Sequence, residues 1–161
     1  MKIAGTIILV AASYFCGVIV ASLEGEKIKA LDSMVELLQY LFRRMETECT
    51  PLKVIFGSYK NDYLEKTGFL AALRGGGNSL SALWGNGLEM LCLEWESKDE
   101  LLHLGESLGR LDLESQLKCI ESCRRFLEQK RDSLKNSVPK KQKSIKAVAF
   151  LLGAMATIIL I

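Results

Sequence analysis

"LGESLGRLDLESQ", residues 104 to 116, sets Gly105 and Gly109 four positions apart among leucines, with Asp112 and Gln116 following. A glycine costs a helix interior roughly 1 kcal/mol relative to alanine, so two of them on one face call for a reason. Residues i and i+4 share a helix face. Without side chains there, another helix can approach closely. Gly109 also falls where a helix would stop, and glycine takes the left-handed C-terminal cap without strain. Asp112 then suits the N-cap of a new helix; the functional alternative is an exposed carboxylate offered to a partner. Gln116 lies on the edge of the new helix's apolar face, as a buried and satisfied polar group. The stretch therefore reads as close-packed helix, stop, turn and start, which points to an all-α fold.

The flanking sequence extends that reading. The 161 residues hold only two prolines, Pro51 and Pro139, and alternating β-branched runs are absent, as expected of a helical chain. Upstream, Ile28, Leu31, Met34, Val35, Leu38, Leu41, Phe42 and Met45 keep a three-four spacing, with Lys29, Asp32, Glu36 and Arg43 opposite. Thr50 and Pro51 predict a helix start, threonine as N-cap and proline in the first turn. That helix carries Val54, Ile55, Tyr59, Tyr63 and Leu64, and Gly57 and Gly68 allow it to divide into two. Ser79 is the expected cap of the next helix, and Asp99 that of a short one over residues 100–108. From Asp112 a long stripe of Leu113, Leu117, Ile120, Cys123, Leu127 and Leu134 follows, and Pro139 should end or kink it.

Both ends of the chain are apolar. Ile3 to Leu23 contains no charge and is long enough for a hydrocarbon core of about 30 Å. Its cleavage signal is poor, since "VASLEGE" offers only Val20 and Ser22 before Leu23, so the expectation is an uncleaved anchor. Ala147 to Ile161 is shorter, roughly 23 Å at 1.5 Å per residue, but Ile145 and a snorkelling Lys146 extend it. Lys140, Lys141, Lys143 and Lys146 flank this second run, and Lys27 and Lys29 follow the first. The positive-inside rule then puts the middle of the chain in the cytoplasm. The expected organisation is a transmembrane helix over 1–24, an antiparallel cytoplasmic bundle over 25–139, and a lysine-rich break with a short transmembrane helix over 140–161. The bilayer is thus an expected partner.

Chemistry is harder to find. One histidine and five cysteines suit a reducing compartment. Cys119 and Cys123 stand at i, i+4 with no second soft-ligand pair nearby in sequence, so neither a metal nor a cysteine-dependent membrane enzyme is expected. "RGGGN" at 74–78 lacks the Lys-Ser/Thr pair of a phosphate loop and reads as a turn. No cofactor is implied, and a net charge of +2 gives no reason to expect nucleic acid. Charge is uneven along the chain. Residues 89–114 hold eight acids, Glu94, Glu96 and Glu100 among them, against Lys98 and Arg110, whereas residues 124–146 hold nine bases against Glu128 and Asp132. The expectation is a basic end toward anionic lipid and an acidic face turned toward a soluble partner.

"LGESLGRLDLESQ", "METECTPL" at 45–52, the charged helix, the lysine-rich break and the short terminal apolar run together resemble the stage III sporulation protein AB family of endospore-forming bacteria, over the whole length of the chain. "RGGGN" departs from that pattern. The resemblance implies a cytoplasmic helical domain like those of the inner-membrane platform proteins of type II secretion and type IV pilus machines. It implies a non-catalytic subunit in the mother-cell membrane around the forespore. Its partners would be a secretion-type ATPase and other membrane subunits of a channel complex, and association with further copies of itself is compatible with that role.

Overall fold

A computed structural model describes residues 2–48, 50–75 and 79–160, with side chains described over 22–48, 50–75 and 79–137. The described chain is helical throughout: α1 (Lys2–Glu48), α2 (Leu52–Ser58), α3 (Asp62–Lys66), α4 (Phe69–Arg74), α5 (Leu80–Leu88), α6 (Trp95–Ser107) and α7 (Leu113–Leu160). It divides into two compact units, one of Lys27–Asp132 and one of Met1–Glu26 with Ser133–Ile161. Among the described residues no helix is long and apolar enough to cross a membrane. The two runs expected to span, 3–23 and 147–161, fall almost wholly outside the residues whose side chains are described. So do the lysines at 140, 141, 143 and 146, and the turn expected at 74–78 falls mainly on undescribed residues.

The unit Lys27–Asp132 is a bundle. α1 runs on without a break, as expected, and buries Ala30, Leu31, Met34, Val35, Leu37, Leu38, Leu41 and Met45. That stripe is wider than an a/d seam, because α1 is covered on more than one side. α7 lies antiparallel to it: Arg131 faces Asp32 at 3.4 Å, while Phe42 shares a surface groove with Leu117 and Phe126. α7 meets the core through Gln116, Ile120, Cys123 and Leu127. Leu113, expected in that stripe, is instead exposed. Leu113 shares the face of Ile120, seven residues on, but it is the first residue of α7 and stands at the turn, where the core no longer covers it; Gln116 is the first residue of that face to be buried. α7 is one helix across Pro139, which does not end it; a kink there would lie outside the described side chains.

The short helices pack in chain order, α2 and α3 on α4, α4 on α5, α5 on α6. At their centre the fully buried indole of Trp84 packs against Phe69 edge-on, with ring centroids 5.4 Å apart, and against Phe56 at 6.0 Å. Its Nε1–H donates to the carbonyl of Leu101 at 2.8 Å, which ties α5 to α6. Arg74 closes the end of α2 by donating to the carbonyls of Phe56 (3.3 Å) and Tyr59 (2.6 Å).

Several expected helix limits are corrected. The segment after Pro51 forms three helices, because Asn61 starts α3 by accepting the N–H of Leu64 at 3.0 Å. Thr50 caps nothing; its hydroxyl donates to Glu48 at 3.2 Å, and Pro51 occupies the N-cap position. Ser79 caps α5 as expected, accepting from Ala82 N–H at 3.4 Å. Asp99 is not a cap. It lies inside α6, which begins at Trp95, and its carboxylate stands 3.8 Å from His103 one turn on.

Candidate functional site

The residues singled out in the sequence fall into two places, one at each end of α6. At its C-terminal end the helix stops at Ser107, and Gly109 follows with φ of 78°. That is the left-handed region, which a side chain other than glycine's adopts only with strain. Gln116 then fastens the turn from behind. Its Oε1 accepts from the N–H of Gly109 at 3.2 Å, and its Nε2 donates to the carbonyl of Leu111 at 2.5 Å. Buried polar groups need such partners, and here one amide satisfies its own needs and those of two backbone groups. Asp112 starts α7 by accepting the N–H of Ser115 at 3.0 Å. The hydroxyl and N–H of Ser115 hold the Asp112 carboxyl below its usual range. The fixed turn presents Leu111 and Leu113, 44% and 42% exposed, to solvent. Neither leucine's exposure was expected. The available signal for Leu113 was its place as the first residue after the Asp112 cap, at the very start of α7.

Gly105 lies one turn inside α6 and does not belong to the turn. A Cβ there would run into the Trp84 indole, with Cγ at 2.9 Å and Nε1 at 3.0 Å. The close neighbour is thus an aromatic ring and not a helix backbone. Gly109 meets nothing tight, since its nearest neighbour would be Leu52 Cδ1 at 3.8 Å, so its requirement is conformational.

At the other end of α6 the acidic residues are engaged within the bundle. Glu94 pairs with Lys27 of α1 at 3.1 Å, and Glu96 pairs with Lys130 of α7. Glu89 pairs with Lys98 at 2.8 Å, and Glu100 is half-buried. Glu94 and Glu96, expected on an acidic face turned toward a soluble partner, instead close onto bases of α1 and α7. α6 begins beside Lys27 and Lys130 and ends with Gly109 beside Leu52, so the turn lies at the end of the bundle away from Lys27.

Among the described residues no three potential ligands gather to hold a metal. Burial pushes the Cys123 thiol up to about 12, with the Glu100 carboxylate and Cys119 adding to the shift. A thiol so raised is a poor nucleophile at neutral pH. Cys119 is half-buried and Cys92 exposed.

The chain matches the family description of stage III sporulation protein AB over residues 2–161. A solved structure of a stage III sporulation protein AB (SpoIIIAB) is 23% identical and superposes with a TM-score of 0.56, covering 71% of this chain and 97% of its own. At that identity the likeness shows the fold. No curated protein matches the chain. With the family matched from end to end, the chain belongs to the stage III sporulation protein AB family.

Proposed function

We propose that the chain is a non-catalytic platform subunit of a secretion-like channel assembled during sporulation. In this reading its apolar ends hold it in the mother-cell membrane around the forespore, with the bundle in the cytoplasm. The turn between α6 and α7 docks a secretion-type ATPase and passes its motion to other membrane subunits. The observation that carries the reading is the turn: Leu111 and Leu113 stand exposed on a segment fixed by Gln116 and Asp112. A pre-ordered apolar surface binds without a further ordering cost. A turn fastened to two helices also transmits a push to both, which a floppy loop does not. Membership of a sporulation family supports the biological setting.

The test is capture of the ATPase by the full chain in solubilised membranes. Leu111→Asp combined with Leu113→Asp should weaken capture about tenfold or more, tenfold being 1.4 kcal/mol. Met90→Asp, at an exposed site elsewhere, should leave it unchanged. Capture indifferent to the double change would overturn the turn as the dock. Retention of soluble proteins with no ATPase among them would favour a scaffold without a motor.

A further inference from the structure

Trp95 is 75% exposed, although the other tryptophan, Trp84, is fully buried with its N–H satisfied. An indole is large and amphipathic and rarely stands free in water; tryptophans in that condition gather at partner surfaces and at membrane–water interfaces. The position of Trp95 distinguishes these two settings. Its neighbours in sequence are both tied down, Glu94 to Lys27 on α1 at 3.1 Å and Glu96 to Lys130 on α7. The first turn of α6 is thereby held at the level of Lys27. Lys27 follows the uncharged run Ile3 to Leu23 by only four residues, which span at most about 14 Å of chain however they lie. A tether that short keeps the Lys27 end of the bundle within reach of the headgroup layer, which is about 5–8 Å thick in one leaflet.

We infer that Trp95 is a membrane-interface anchor. The bundle rests its Lys27 end on the bilayer, with the indole among the headgroups and its Nε1–H donating to a phosphate or ester oxygen of a lipid. The inference rests on the membrane-anchored reading above and adds that a part of the bundle itself, and not only its apolar ends, touches lipid.

The test uses the full chain reconstituted into phosphatidylethanolamine–phosphatidylglycerol vesicles, with flotation measured on the same samples. Tryptophan emission is compared with and without a phospholipid carrying a nitroxide on its headgroup. The expected result is loss of a component of the emission that is absent from Trp95→Phe, together with reduced quenching of that component by acrylamide. The core Trp84 serves as the unquenched internal reference. Protein that floats but shows no nitroxide-dependent loss overturns this inference and leaves the anchored reading standing. Floating protein whose Trp95 is shielded from acrylamide yet ignores the nitroxide also overturns it, in favour of a protein neighbour. Protein that does not float overturns both.

Discussion

Gly105 and Gly85 both lie inside helices, yet alanine should act on them with opposite sign. At Gly85 an added Cβ would meet Leu102 Cδ2 at 3.5 Å, an ordinary contact, so Gly85→Ala should gain up to about 1 kcal/mol of helix propensity. At Gly105 the same Cβ collides with a buried indole that the Leu101 carbonyl and two aromatic rings hold in place. Overpacking costs about 1–3 kcal/mol, which outweighs the gain in propensity. Thermal unfolding should therefore show a raised midpoint for Gly85→Ala and a lowered one for Gly105→Ala; equal midpoints would mean that Trp84 gives way. A glycine kept inside a leucine-rich helical stretch, against its cost in propensity, marks Gly105 as crowded; its spacing from Gly109 does not, because Gly109 lies beyond the end of α6 and serves the turn. The sequence does not announce what crowds Gly105. Trp84 lies twenty-one positions upstream, and no local pattern links an indole to a glycine on another helix.

At the scale of the element, helix starts were legible where a side chain caps its own helix and illegible where it does something else. Ser79, Asn61 and Asp112 accept from N–H groups three residues ahead, and serine and aspartate were read correctly for that reason. Glu94 precedes α6 without capping it, since its carboxylate is drawn to Lys27, so the start of α6 has no local mark and Asp99 attracts the reading instead. Asp112 gives the α7 start a pH signature. Its folded-state pKa is depressed, so its stabilisation is fully present above the unfolded value and is lost as pH falls through the folded one. Asp112→Ala should lower the melting midpoint at neutral pH and flatten its decline in acid, while Asp112→Asn, which keeps an accepting oxygen, should flatten the decline with a smaller loss. Melting curves recorded between neutral and strongly acidic pH check both; parallel curves for wild type and Asp112→Ala would show that the cap carries no charge dependence.

For the molecule as a whole, the helical class, the unbroken first helix and the turn before α7 follow from spacing alone. The long-range charge pattern does not. Glu94 and Glu96 join bases 67 and 34 positions away, a pairing that only the folded bundle creates, so these two acids, which look free along the chain, are joined to bases of α1 and α7. Partly exposed pairs of this kind contribute roughly 0.2–1 kcal/mol each. Glu96→Lys should cost about that much at low salt and less at high salt. The swap Glu96→Lys with Lys130→Glu should recover most of the loss, as a double-mutant cycle by chemical denaturation would record. A swap no better than the sum of its single changes would remove the pair from the account of how α6 is held.

The chain-order packing of the short helices also sets a timetable. Contacts that run from α2 and α3 to α4, α4 to α5 and α5 to α6 close small loops, and local topologies of that kind fold quickly. Synthesis proceeds at about 5–20 residues per second, so residues 52–107 can assemble around Trp84 while α7 is still being translated. During those seconds the part of the core that Ile120, Cys123 and Leu127 later close stands uncovered. The last helix made is therefore the one that completes the core. A chain halted before α7 would present an almost finished bundle with one open apolar wall, the form most prone to chaperone capture or to borrowing a helix from a neighbour.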